Sequence, residues 1–310
     1  MPDRFAADPL YRDPILDGPT DPIVVWNPQV RRWWMFYTSR RANVAGLPGA
    51  SWVHGTRIGI AESADAGATW TYAGTAEIDD GTGLGKQVTH WAPDVVFDGD
   101  TFHMFLTVVP GIFDNWAHPR AIVHLTSTDL RTWGDPRPLD LASGRVIDAS
   151  LLRLPDGTWR LWYNEEDDNK SIYFADSPDL RGWTDRGKAI GDQPGEGPKA
   201  FHWRGQYWMI TDVWQGLAVY RSDDALRWVR QPGNLLAEPA RGGAAGIGHH
   251  ADVVVSGDRA FLFYFAAIGA GREERRSAVH VTELELRDGT LHCERDRLTQ
   301  ITMSPPEAAP

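Results

Sequence analysis

Short apolar runs alternate with polar turns along the whole chain, and the alternation repeats. Each copy has an acidic residue, a small residue or proline, an apolar run, a polar turn and then an aromatic-rich run. Asp21-Pro-Ile-Val-Val is followed by Trp33-Trp-Met-Phe-Tyr37, and Asp94-Val-Val-Phe by Phe102-His-Met-Phe-Leu106. Asp148-Ala-Ser-Leu-Leu leads to Trp159-Arg-Leu-Trp-Tyr163, Glu196-Gly-Pro-Lys-Ala-Phe to Tyr207-Trp-Met-Ile210, and Asp252-Val-Val-Val to Phe261-Leu-Phe-Tyr264. A third run, such as Ile58-Gly-Ile-Ala or Ile172-Tyr-Phe-Ala, precedes a Ser-x-Asp turn and a tryptophan. That ending recurs as Ser63/Asp65/Trp70, Ser127/Asp129/Trp133, Ser177/Asp179/Trp183 and Ser222/Asp224/Trp228. The short continuous run suits an inner strand buried on both faces, and the later runs suit strands further out.

Repeats of about 40–50 residues with strand and turn signals in each are the mark of a propeller. The pattern therefore predicts an all-β chain: one five-bladed β-propeller domain over residues 1–310, built of four-stranded antiparallel blades. The blades should begin near residues 21, 94, 148, 196 and 252, with almost no helix. A Gly- and Ala-rich insertion near residues 40–57 lengthens the first interval. The stretch Leu10–Leu16 is expected beside the last blade, and Met1–Ala7 and Ser304–Pro310 are expected to be loose tails. Trp70, Trp133, Trp183 and Trp228, at the fixed position of the repeat, are expected to pack between blades.

The formal charge of −11, with Lys and Arg scattered, excludes the basic footprint of a nucleic-acid or anionic-membrane surface. No apolar run is long enough to span a bilayer. Residues 1–20 lack the basic head and apolar core of a secretory signal, so a cytoplasmic protein is expected, secreted only if a leader has been removed. Cys293 is the one cysteine, so no intramolecular disulfide forms.

Each repeated acid opens an inner strand, so the ring symmetry is expected to bring all five to one end of the central channel. Carboxyls converging there repel and cannot all ionise normally. The loops on that end carry Trp52, His54, His90, Trp91, Trp116, His118, Glu165, Glu166, Trp214, His249, His250 and Arg272. Aromatic faces stack on sugar rings while carboxylates and imidazoles take hydroxyls, so this is equipment for a carbohydrate. The insertions near 40–57 and 107–121 favour a walled pocket and exo action. The same residue types have structural uses. Asp-Pro and Asp-x-Ser are turn chemistry, Glu196 lies in a Gly/Pro-flanked loop, and Glu165–Asp168 reads as a solvated loop. Neighbouring side chains on a strand point to opposite faces, so at most one of His249 and His250 should face the channel.

The segments Thr20-Asp-Pro-Ile-Val, His90-Trp-Ala-Pro-Asp-Val, Ile147-Asp-Ala-Ser-Leu-Leu, Glu196-Gly-Pro-Lys and Gly246-Ile-Gly-His-His resemble glycoside hydrolase family 43, in order from residue 20 to about 265. That family and its clan relatives are five-bladed propellers that cleave arabinosides, xylosides and related glycosides with inversion. The resemblance implies Asp21 as general base, Glu196 as general acid and Asp148 as the aspartate that raises and orients the acid. It matches Asp94 to an element of blade 2 and His249 to the channel histidine, which in many members helps hold a calcium ion or waters. No cofactor is required on this reading, with calcium in the channel at His249 as the possible metal. The implied partner is an oligosaccharide or glycoside, bound by Trp52, His54, His90, Trp91, Asp94, Trp116, Trp214, His249 and Arg272. The chain departs from the pattern at Ile23, Lys199, His250 and Ala251, which bears on substrate more than on reaction type.

Inversion needs one protonated carboxyl on the leaving oxygen and one ionised carboxyl activating water from the opposite face. A third carboxylate beside the acid separates their pKa values. Two other classes remain as alternatives. Ser63-Ala-Asp65-Ala-Gly67-Ala-Thr69-Trp70 matches the Asp-box turn of sialidase-like propellers, but that turn is structural, and a sialidase would add three arginines and usually a sixth blade. A non-catalytic carbohydrate-binding propeller would need no acid, base and modulator. Clan relatives acting on anhydro-galactose or fructose units are the other alternative specificities.

Overall fold

The computed structural model describes residues 4–241, 245–269 and 275–306. These form five antiparallel sheets. Blade 1 comprises β1 (Pro19–Asn27), β2 (Arg32–Ser39), β3 (Arg57–Ser63) and β4 (Thr71–Thr75). A two-residue strand, β5 (Glu77–Ile78), then pairs in parallel with the outer edge of blade 2. Blade 2 is β6 (Thr89–Phe97), β7 (Phe102–Val109), β8 (Ala121–Ser127) and β9 (Thr132–Pro138). Blade 3 is β10 (Val146–Arg153), β11 (Trp159–Glu165), β12 (Ser171–Ser177) and β13 (Thr184–Ile190). Blade 4 is β14 (Glu196–Trp203), β15 (Gln206–Asp212), β16 (Leu217–Ser222) and β17 (Val229–Leu235). Blade 5 is β18 (His249–Ser256), β19 (Arg259–Ala267), β20 (Ser277–Arg287) and β21 (Thr290–Cys293). The inner strands touch in the cyclic order β1, β6, β10, β14, β18 and back to β1, which closes the ring. A short 3-10 turn spans Ser51–Val53.

The tryptophan closing each Ser-x-Asp turn does pack between blades. Trp70 meets Phe263 of blade 5, Trp133 meets Phe36 of blade 1, Trp183 meets Phe105 of blade 2, and Trp228 meets Trp162 of blade 3. All four pairs are edge-on with ring centroids 5.4–6.3 Å apart, the arrangement that the ring quadrupole favours. In all four turns the serine Oγ donates to the aspartate Oδ1, and the indoles of Trp70, Trp133 and Trp183, but not that of Trp228, donate to a turn carbonyl. Ser63 Oγ donates to Asp65 Oδ1, the Asp65 carboxylate takes the Thr69 amide, and Trp70 Nε1 donates to the Gly67 carbonyl.

Ring closure extends to both ends of the chain. Tyr11 and Val279 exchange backbone hydrogen bonds of 3.1 and 2.9 Å, placing the Leu10–Leu16 stretch beside blade 5. Of the two expected tails, Phe5–Ala7 is tied to the ring, Ser304–Pro306 is exposed with Ser304 N donating to Ser256 Oγ, and residues 1–3 and 307–310 lie outside the described residues. Phe5 bridges to Gln300, Ala6 donates to the Thr299 carbonyl, and Ile301 and Met303 are buried against Trp33 and Trp70.

Each inner strand carries a register shift near its start: Thr20/Ile23, Trp91/Asp94, Ile147/Ser150, Glu196/Lys199 and His249/Ala251. A residue with positive φ sits in or beside four of these shifts: Asp21 (52°), Ala92 (39°), Asp148 (59°) and Gly197 (55°). The shift re-aims side chains as a bulge does. It also separates the five repeated acids, which do not share one structural position. Asp21 and Asp148 lie within it and Glu196 just before it, whereas Asp94 and Asp252 lie beyond it, further along the strand.

Beyond the shift, the channel axis is built around one ammonium. Lys199 Nζ lies 2.8 Å from Asp252 Oδ1 and 3.2 Å from Asp94 Oδ1. Asp252 Oδ2 accepts the Val24 amide at 2.8 Å, and Asp94 Oδ2 the Leu151 amide at 2.6 Å. Lys199 belongs to blade 4, the two aspartates to blades 5 and 2, and their amide partners to blades 1 and 3. One buried cation therefore links all five blades. Burial works against the charge on Lys199, but the two aspartates outweigh it and hold its pKa above the ordinary lysine value.

Candidate active site

Within and just before the shift, three carboxyls converge on His250, which lies in the shift of β18. Its Nδ1 lies 3.4 Å from Asp21 Oδ1 and 4.0 Å from Asp148 Oδ2. Asp148 Oδ2 also accepts the Gly197 amide at 3.0 Å, which fixes it against the backbone beside Glu196. The Gly197 backbone passes so close to the imidazole that a Cβ there would stand 2.7 Å from its Cγ. Asp21 is further oriented by Thr20 Oγ1 at 3.0 Å and by Arg40 Nη2 at 3.8 Å.

Burial raises the Asp148 carboxyl; His250 pulls it back, but Glu196 and Asp21 push it up, to about 7. Glu196 is raised by burial and by Asp212, against the pull of Lys170 and His250. Burial opposes the charge on His250, yet Asp148, Asp21 and Glu196 hold its pKa above the usual histidine value. The arrangement thus keeps a proton among carboxyls that would be fully ionised in water near neutrality, with an imidazolium among them.

Glu196 retains 27% side-chain exposure, and Lys170 reaches it from the turn after β11, with Nζ 3.3 Å from Oε2. Of Glu165 and Glu166, expected in a solvated loop, the first is buried and the second has its side chain largely covered. Glu165 Oε1 takes Ser143 Oγ at 2.8 Å, and Glu166 lies between Lys170 and the buried Arg120. Asp167 and Asp168 do face solvent, paired with Arg145 and Lys188.

The expected pocket residues divide. Trp214 and Trp116 are 40% and 54% exposed, Trp214 against Lys170 and Trp116 tilted against Trp91 with ring centroids 5.9 Å apart. Trp91 itself is buried, its Nε1 donating to the Val53 carbonyl. Trp52 is half-buried between the guanidinium groups of Arg40 and Arg275. His54 is fully buried beneath Trp91 and Trp116, and burial lowers its pKa to about 4; it supports this aromatic platform from below. His90 is turned to a buried pairing with Asp80 at 2.7 Å. Asp94, at 2% exposure, belongs to the Lys199 axis and lacks the open carboxylate that a substrate contact requires. His249 stacks on Phe265 and shares the Asp212 Oδ2 carboxylate, through Nδ1 at 3.0 Å, with the His250 amide at 3.2 Å. Arg272 lies outside the described residues.

Both histidines therefore meet carboxylates, contrary to the alternation expected of a regular strand, because the register shift falls between them. His250, named only among the residues at the channel mouth, and Lys170 and Asp212, not named at all, join the site. Two adjacent histidines after Gly-x-Gly were the visible signal for the first, and nothing in the sequence singles out the other two.

The residues in the channel do not fit a calcium ion. The Lys199 ammonium takes the space between Asp94 and Asp252, and His249 is committed to Asp212. Among the described residues no group of three or more His, Cys, Asp or Glu is arranged to hold a metal. A hollow of about 840 Å³ between the outer strands of blades 4 and 5 is lined by residues such as Leu236, Glu238, Cys293 and Arg295, none of them among the clustered carboxyls. Convergent titratable groups, and not volume, locate the site at the channel mouth.

No family model and no curated protein matches the sequence. Solved structures do. A thermostable family-43 glycoside hydrolase superposes with a TM-score of 0.67 at 20% identity, over 96% of this chain and 99% of that one. A xylan β-1,4-xylosidase from Bacillus halodurans C-125 gives 0.66 at 17% identity over 96% of this chain, which spans only 61% of the xylosidase. A family-43 enzyme from Xanthomonas citri complexed with xylotriose gives 0.66 at 14% identity, over 92% and 93%. At these identities the likeness establishes the propeller fold.

Proposed function

We propose that this chain is an inverting glycoside hydrolase, removing the terminal sugar of arabinoside- or xyloside-type oligosaccharides. The carrying observation is the convergence of Asp21, Asp148 and Glu196, from blades 1, 3 and 4, on His250 at one end of the channel. Asp21 acts as base on a water and Glu196 as acid on the leaving oxygen. Asp148, close enough to perturb and be perturbed, keeps the proton inventory of the pair high. Trp116 and Trp214 offer exposed indole faces at the rim, suited to sugar rings. The fold shared with a xylosidase and with an enzyme complexed with xylotriose supports a pentose substrate.

The test is release of nitrophenol from a panel of aryl furanosides and pyranosides, followed by proton NMR of the first-formed sugar. The expected result is turnover of an arabinoside or xyloside with the opposite anomer appearing first. Retention would overturn the mechanism. Binding without turnover of any glycoside would favour a carbohydrate-binding propeller.

A further inference from the structure

Lys170 falls in none of the repeated runs, yet it is fixed on three sides at the mouth of the site. It lies in the turn between β11 and β12, where Asn169 and Lys170 both take left-handed backbone with φ of 53° and 51°. Its Nζ is 2.8 Å from Glu166 Oε1 and 3.3 Å from Glu196 Oε2, and 5.5 Å from the centre of the Trp214 ring. Glu166 is itself held on its other side. Arg120 of blade 2, with 1% side-chain exposure, grips Glu166 from behind. Lys170 is thus anchored by blade 3 and reaches across to blade 4.

We propose that Lys170 is the positioning residue of Glu196, holding Oε2 so that Oε1 is the oxygen that protonates the leaving group. This rests on Glu196 being the acid, as read above. Oε1 has no hydrogen-bond partner among the described residues, so the two oxygens are already inequivalent. The need for such a hold is electrostatic. Asp212 at the end of β15 and Asp148 on β10 both repel an ionised Glu196, while His250 on β18 and Lys170 attract it. Once Glu196 has given up its proton, the attraction keeps the new carboxylate in place. It also limits how far burial raises the acid, Lys170 being the strongest of the opposing groups.

The test compares Lys170→Met and Lys170→Arg with the parent, using protein carrying ¹³C at the glutamate Cδ. The Glu196 signal is assigned by its loss in Glu196→Gln. In Lys170→Met the Glu196 midpoint should move to higher pH, because a stabilising cation is gone; Lys170→Arg should restore it. On xylobiose the alkaline limb of kcat/KM should follow upward while kcat falls. On 4-nitrophenyl β-xyloside, whose leaving group needs no proton, kcat should change little. An unmoved midpoint in Lys170→Met, or equal losses on both substrates, would overturn the proposal. Should the parent cleave no glycoside, the hydrolase reading fails, while the midpoint still decides whether Lys170 holds Glu196. Lys170→Gln, which keeps a polar side chain there without the charge, should shift the midpoint in the same sense if Lys170→Met does not fold.

Discussion

A Cβ at Gly197 would stand 2.7 Å from Cγ of His250, so the imidazole occupies the space that any other residue at that position would need. Gly197 also has φ of 55°, which suits glycine best. Gly197→Ala should therefore displace His250 and lose roughly 1–3 kcal/mol of stability through strain. With the imidazole moved from Asp21 and Asp148, its NMR titration should fall toward the ordinary histidine range. Misplacing groups at a reacting centre by about 1 Å can cost on the order of 10²-fold in rate, and a loss of that order is expected. A variant with an unchanged His250 titration would show that the backbone yields instead.

The folded chain holds a proton at Asp148 up to about 7 that an unfolded chain releases near 4. The native state then binds more protons, so stability declines as pH rises from about 4 through about 7. His250 acts in the same direction. Its raised pKa contributes stability that is complete below about 6.5 and lost as pH climbs through the folded value. Asp80, lowered to about 2 despite burial by hydrogen bonds from His90 and Thr82, works oppositely but has finished titrating below pH 5. His54 and His124, lowered by burial to about 4 and about 3, oppose this below about 6.5, so the Asp148 contribution is read by difference. Between pH 5 and 8 the melting temperature of Asp148→Asn should rise relative to that of the parent. A profile that the substitution leaves unchanged would contradict the assignment.

Lys199→Met would leave Asp94 and Asp252 facing each other on the axis without a cation. Breaking a buried ion pair by removing one partner costs about 3–5 kcal/mol, which for a chain this long lowers the melting temperature by roughly 5–8 °C. Adding Asp94→Asn and Asp252→Asn should recover part of the loss by removing the stranded charges. A chelator should leave the parent's melting temperature unaltered, because its internal cation is covalently attached. Calorimetry with and without EDTA checks both statements, and a chelator-sensitive parent would refute the second.

The propeller was legible because its signals are local and repeated. Hydrophobic runs, Ser-x-Asp turns and Trp70, Trp133, Trp183 and Trp228 recur at blade spacing, and the same interblade contact follows each time. Asp21, Asp148 and Glu196 were legible as strand-opening acids. The register shift was not, since a displaced pairing changes no residue type. It moves Asp94 and Asp252 onto the axis and brings His250 beside the carboxyls, so a repeat-based alignment of the five acids misjudges both. Glu166 read as solvated because its partner, Arg120, lies 46 residues away in the chain. Charge compensation at that separation has no local sequence signature.

The acid and base roles separate by leaving group. Loss of a positioned acid or base commonly costs roughly 10²–10⁴ in rate. Glu196→Gln cannot protonate the departing oxygen, so it should lose that much on xylobiose and far less on 4-nitrophenyl β-xyloside, whose phenolate leaves unaided. Asp21→Asn cannot activate water, which both substrates need, and should lose alike on the two. Asp148→Asn removes a group that pushes on Glu196 through space, so it should resemble Glu196→Gln in leaving-group dependence but with a smaller loss. The ratio of kcat/KM on the two substrates, measured for all three variants, is the discriminating quantity. Equal ratios in Glu196→Gln and Asp21→Asn would mean that neither residue has the role assigned here. A ratio reversed between them would exchange the roles of blades 1 and 4 while keeping the three-carboxyl centre.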